Sequence, residues 1–173
     1  MSDSYLATRE RLLTQLDLDE GFWFAIVAGP DDRPRERLRL AVKGWCFDHS
    51  VTFHDHALPP SELPELARTL AREPTPGVHW VRASGEGASI EGSERGLKQL
   101  LLAMNERRDA YTRKLQGPVI IEGRASLRRL LQEFAPDLFS IAVPLAEVAA
   151  DPDETPEPSE PLPSWHLLSN ATH

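Results

Sequence analysis

Residues 21–42 read GFWFAIVAGPDDRPRERLRLAV. Phe22 to Ala28 is an unbroken apolar run held between Gly21 and Gly29, the pattern of a strand covered on both faces. After Gly29 the period changes. Asp31 or Asp32 can cap a helix with Pro34 in its first turn, and Leu38, Ala41, Val42 and Trp45 recur at i, i+3, i+4 and i+7. A doubly buried strand followed by an amphipathic helix is the repeating unit of an α/β fold.

Working outward, the same alternation continues in both directions. A helix stripe precedes the segment at Tyr5, Leu6, Leu12, Leu13 and Leu16, broken only by Arg9. A second strand is expected at Val51 to His54. Ser61 then opens a helix with Leu63, Leu66, Ala67 and Leu70 on one face, ended by Pro74 and Pro76. Gly77 to Val81 reads as a third strand, and a Gly- and Ser-containing loop leads to one long helix marked by Leu97, Leu100, Leu101, Met104, Tyr111 and Leu115. Gly117-Pro118 stops it before the strand Val119 to Ile121. A helix from Ser126 to Phe134 and a strand from Leu138 to Val143 close the series. Five short strands with helix-length connections predict an α/β domain with a mostly parallel sheet, built from right-handed crossovers.

The domain is expected to span residues 1–150. Residues 151–163, DPDETPEPSEPLP, hold five acids, five prolines and no base, a composition that builds no core and reads as an extended, solvated linker. The whole chain of 173 residues has a net charge of -8, and five of those charges sit in this linker, so the folded part is only mildly acidic. Beyond it, residues 164–173 place Trp165, Leu167 and Leu168 at the end of a polar leash, an expected interaction segment. The acid excess argues against a nucleic-acid or anionic-membrane partner, because phosphate neutralisation needs clustered Lys and Arg. The lone Cys46 forms no intrachain disulfide. No leader pattern opens the chain and no apolar stretch reaches the roughly 18 residues of a membrane span, so a cytoplasmic protein is expected.

In an open parallel sheet, ligands settle at the carboxyl ends of the strands, which directs attention to the loop after the first strand. Aligned with the phosphate-binding pattern G-x-x-x-x-G-K-[ST], Gly29 takes the first glycine position. Pro34 then takes the second, Arg35 the lysine position and Glu36 the Ser/Thr position. Only the cation survives. Pro34 offers no N–H to a phosphate, three carboxylates (Asp31, Asp32 and Glu36) crowd the site, and the magnesium-binding hydroxyl is gone. At the end of the third strand, where such machines carry an acid, stand Arg82 and Ser84. No catalytic residue and no cofactor are therefore assigned, and Arg35 itself reads as a solvated base at the helix start.

The string HSVTFHDH puts His54 and His56 on one face of a strand with Asp55 on the other. Two imidazoles fall short of the three or four ligands a zinc site needs, so they read as polar residues at a strand end, and no metal is assigned. His79 reads as a satisfied core histidine. Cys46, between Trp45 and Phe47, reads as packing. Glu106, Arg107, Arg108 and Asp109 read as charge pairs on a wet helix face.

The order of elements, the ruined phosphate loop and two longer strings together resemble the inactivated STAND-type P-loop domains of bacterial signalling and defence proteins. The strings are LDEGFWFAIVAGPDDRPRERL and AMNERRDAYTRKLQGPVIIEGRASLRRLLQEFAPDLFSI. The resemblance covers about residues 5–145. It implies a P-loop-like three-layer sandwich with strand order 5-1-4-3-2 that has lost ATPase activity and serves as a protein-interaction or regulatory module. Such domains sit beside an effector, a peptidase or a helical-repeat sensor, so here the partner is expected to be a separate protein chain.

Two functions follow as expectations. The first is a non-enzymatic adaptor that docks on that partner through the domain and the Trp165, Leu167 and Leu168 anchor. The second is a sensor that holds a nucleotide-like ligand in the crevice of Gly29 and Arg35 without turning it over.

Overall fold

The computed structural model describes residues 5–143 and Val148. It is an α/β fold with helices on both faces of a parallel sheet. The elements are α1 (Tyr5–Leu18), β1 (Phe24–Ala28), α2 (Asp32–Asp48), β2 (Phe53–Leu58), α3 (Leu63–Arg72), β3 (Val78–Ala83), α4 (Ile90–Asn105), α5 (Arg108–Lys114), β4 (Val119–Gly123), α6 (Leu127–Phe134) and α7 (Pro136–Ile141), with a 3-10 turn at Pro60–Glu62. Four strands run in the order β2-β3-β4-β1, all parallel.

The apolar run that suggested a doubly covered strand is one. Phe24, Ile26 and Ala28 of β1 pack on α3, α4, α6 and α7, while Ala25 and Val27 pack on α1 and α2. All five residues are buried, as a central parallel strand requires. The first cluster is closed by Leu63, Leu66 and Leu70 of α3 and by Leu97, Leu100, Leu101 and Met104 of α4. The second holds Leu12 and Leu16 of α1, Leu38 and Val42 of α2, and Trp80 of β3. With about 25 cal/mol per Å2 of apolar surface removed from water, these two layers supply the main driving force of the fold.

Three expectations need correction. The second strand is not Val51 to His54 but Phe53–Leu58. Val51 instead finishes α2: its N–H reaches the Cys46 carbonyl at 2.9 Å while Ser50 turns left-handed at φ 55°, a Schellman-type stop. The long helix is two helices, broken at Glu106 and Arg107. The break carries Tyr111 into the core, where its hydroxyl donates to the Ala67 carbonyl at 2.6 Å. The charged residues at the break pair with their neighbours, Arg107 with Glu106 and Arg108 with Asp109.

The last correction concerns Leu138 to Val143. That run is helical through Ile141, and only Ala142–Val143 pair with Phe24–Ala25, parallel and on the free side of β1. Pro136 at the first helical position preorganises the turn. Asn105 Oδ1 accepts from the N–H groups of Asp137 and Leu138 at 3.1 and 3.2 Å, satisfying donors that a new helix leaves open. The linker 151–163 and the segment with Trp165, Leu167 and Leu168 lie outside the described residues. No helix among the described residues is long and apolar enough to cross a membrane.

Candidate functional site

The carboxyl ends of the strands open on a cleft of about 440 Å3, at the end of the sheet where an open α/β fold places its ligands. One wall is the start of α2, with Asp32, Arg35, Glu36 and Arg39. The other is the start of α4, with Ser89, Ser93 and Glu94. Arg82 and Ser84 from the end of β3, and Glu122 and Arg124 from the end of β4, form the floor between them.

The structure divides the four residues aligned with a phosphate loop. The connection from β1 to α2 holds only Gly29, Pro30 and Asp31, so Pro34, Arg35 and Glu36 fall inside the first turns of the helix. Arg35 and Glu36 line the cleft, and Gly29 and Pro34 do not. The Gly29 N–H is used by the Gly123 carbonyl at 3.2 Å, and Val148 lies over the same residue, with its own N–H on the Ala28 carbonyl at 2.8 Å. A Cβ at position 29 would stand 2.5 Å from the Val148 carbonyl oxygen. The glycine is thus explained by a close backbone approach.

Arg35 is buried, 6% exposed, where the sequence suggested a solvated base. Its Nε donates to the Asp31 carbonyl at 3.0 Å, and its guanidinium pairs with the Asp32 carboxylate. Asp31 occupies the cap position of α2 without a side-chain bond, so the arginine satisfies the turn instead. A second pairing joins three elements: Asp55 of β2 accepts from Arg39 of α2 at 2.9 Å and from Arg82 of β3 at 3.3 and 3.4 Å. Burial works to raise the Asp55 carboxyl, but the hydrogen bonds and charges of Arg82 and then Arg39 outweigh it and hold the group below its ordinary value. Arg39 Nε remains buried with no partner among the described residues.

Sequence reasoning missed two carboxylates here. Glu122 accepts from Trp80 Nε1 at 2.7 Å, and Glu94 accepts from the Ser126 hydroxyl. A single acid closing the apolar run Val119 to Ile121 was the available signal for Glu122. Three of the four arginines are therefore matched by carboxylates, and exposed Arg124 makes no ion pair among the described residues. The cleft can recognise a polar molecule by charge and hydrogen bonds, with Arg124 as its available cation.

Away from the cleft, His54 and His56 share one face of β2 as their spacing requires, and His79 of β3 joins them. The His54 and His79 rings stack at 4.4 Å, and the His56 and His79 rings at 5.2 Å. The Thr75 carbonyl can only accept, so His79 Nε2 carries a proton and donates to it at 2.8 Å. That leaves Nδ1 to accept from His56 Nε2 at 2.9 Å. Burial foremost pushes His79 down to about 4, opposed by the Thr75 bond and aided by the other two imidazoles. Among the described residues no group of three His, Cys, Asp or Glu is arranged to hold a metal ion. Cys46 is buried, and that burial pushes its thiol up to about 11, which suits packing and not nucleophilic attack.

Comparison with protein-family models, with curated proteins and with solved structures finds no match to this chain.

Proposed function

We propose that this chain is a non-catalytic adaptor or regulatory subunit of a cytoplasmic signalling or defence complex, acting by binding a separate protein chain. Its domain is read as a P-loop-like sandwich without NTP hydrolysis, in line with the inactivated STAND-type domains the sequence resembles. Counting Ala142–Val143 as a fifth strand gives the order 5-1-4-3-2, which supports that relation. The observation that carries the reading is the state of the old phosphate position. A three-residue turn replaces the loop, Val148 lies over Gly29, and Arg35 is neutralised by Asp32. A phosphate there would meet a guanidinium already paired with Asp32 and a turn in which Pro30 and Pro34 offer no N–H. In this reading Trp165, Leu167 and Leu168 add a tethered second contact that raises effective concentration.

The test uses the full chain. Isothermal titration with ATP and GTP in the presence of magnesium should show no binding and no phosphate release, while pull-down followed by mass spectrometry should recover a stoichiometric protein partner. A nucleotide retained through purification, with no stable protein partner, would overturn the adaptor.

The 440 Å3 cleft and Arg124, which makes no ion pair among the described residues, favour one second reading, a sensor of a small anionic ligand that is held and not hydrolysed. Because Arg35 is already engaged, Arg124→Ala should abolish ligand binding in the sensor and leave partner binding intact in the adaptor.

A further inference from the structure

The end of the sheet opposite the cleft carries a second concavity, of about 580 Å3. Its floor is backbone and ring: Pro76-Gly77 before β3 and Gly117-Pro118 before β4. Gly77 and Gly117 have φ of +123° and +130°, and a Cβ on Gly117 would stand 2.0 Å from the Gly77 carbonyl oxygen. Neither glycine has room for a Cβ. One wall is the Trp45 indole, stacked on His49 at 4.2 Å and tied by Nε1 to Asp17 at 2.9 Å.

The charge around it is one-sided. Asp17, Asp19 and Glu20 line the concavity, and no Lys or Arg does. Asp17 and Asp19 are engaged by Trp45 and Gln15, whereas no hydrogen bond or ion pair occupies Glu20 among the described residues. Among the described residues the two most exposed large apolar side chains, Phe47 at 86% and Leu18 at 73%, belong to the same two helix ends. Apolar groups left in water beside a shaped hollow mark a contact surface, and carboxylates at its rim select the sign of what enters.

We propose that this surface, at the amino ends of the strands, docks a segment of a partner protein that presents a bulky apolar side chain next to a Lys or Arg. The proposal rests on the adaptor reading and gives it a place. The apolar group fills the hollow over Gly77 and Gly117 against Trp45, and the cation meets Glu20 and Asp17. Because the cleft lies at the other end of the strands, both can be occupied together.

The experiment is selection of phage-displayed random dodecapeptides on the immobilised full chain, followed by binding of the selected peptides, synthesised and fluorescently labelled, by anisotropy. The expected result is enrichment of Lys or Arg beside Trp, Phe or Leu. Affinity should drop about tenfold on Glu20→Gln and on Asp17→Asn and weaken further with salt, as a one-to-two charge contact at an exposed rim predicts. Glu20 is exposed and Glu20→Gln removes no hydrogen bond or ion pair among the described residues, so it reads the surface without threatening the fold. Several results overturn the proposal: no enriched sequence, enrichment of acidic peptides, or binding that neither variant alters. If selected peptides bind elsewhere, the adaptor reading survives and only this placement fails. Tighter probe binding after truncation at residue 150, with displacement by a peptide of residues 162–173, would make the chain's own tail the occupant. Concentration-dependent dimerisation lost in Phe47→Glu would assign the surface to a second copy. Either outcome overturns the partner segment.

Discussion

His56 donates through Nε2 to Nδ1 of His79 at 2.9 Å, so the inner imidazole must stay neutral to accept. The inner ring is fully buried, and its basicity is pushed from 6.5 down to about 4. The unfolded chain therefore binds a proton between pH 6.5 and 4 that the folded chain refuses. His79 contributes full stability above about 6.5 and loses it as pH falls toward 4, an effect of about 3 kcal/mol. His56, lowered first by burial and then by the His54 charge, acts in the same direction. Urea unfolding at a series of pH values should show this slope in the native chain, and a shallower one in His79→Gln. Equal slopes would sink the assignment.

Asp55 holds Arg39 and Arg82 at once, and Arg39 is only 15% exposed at its side chain. Asp55→Ala leaves the Arg39 guanidinium, among the described residues, with only the Glu36 carboxylate at 3.6 Å, at a cost of about 1–2 kcal/mol. Arg39→Met in that background removes the charge left behind and should restore more than half of the loss. A double-mutant cycle by chemical denaturation measures the coupling, and additive losses would mean that Asp55 and Arg39 act independently.

How far the sequence could be read depends on what each residue answers to. Phe24 to Ala28 was legible because burial on both faces leaves no polar position in a strand. His54 and His56 were legible as a same-face pair because the pleat has a period of two. That His79 completes their stack was not, since it depends on the register His54↔His79 between two strands. Arg35 misled for a related reason: a base in a run of charges reads as solvated, and only the three-residue turn from β1 folds it inward onto Asp31 and Asp32. Glu94 and Glu122 reach the cleft from α4 and β4 and stand more than twenty residues apart in the chain, so no local spacing announces them.

The misread strand at Leu138 turns on Asn105, thirty-two residues away from the N–H of Asp137 that its Oδ1 accepts. A side chain ending one helix starts another, which no local pattern at 136–141 contains. Asn105→Ala should cost about 1–2 kcal/mol, the size of a lost helix cap. Asn105→Asp keeps the acceptor but faces the Asp137 carboxylate, which Asn105 Nδ2 approaches at 3.4 Å, so it should recover only part of the loss. Thermal unfolding of the three proteins checks the order, and full recovery by aspartate would show that the amide donor contributes nothing.

Gly117 and Gly21 separate two reasons for having glycine. At Gly21 nothing lies within 4 Å of a built Cβ and φ is ordinary, so Gly21→Ala should be neutral or stabilise by up to about 1 kcal/mol through the unfolded chain. At Gly117 the backbone is left-handed at φ +130°, and the added carbon would overlap the Gly77 carbonyl, itself fixed because the Gly77 N–H donates to the Gln116 carbonyl at 3.0 Å. Neither side of that contact can give without breaking the junction of β3 and β4. Gly117→Ala should therefore cost more than about 3 kcal/mol, with early loss of hydrogen-exchange protection at the N–H of Val78 and Val119. A melting temperature within a few degrees of the native chain would show that this floor can move, and the docking surface built on it would lose its rigid base.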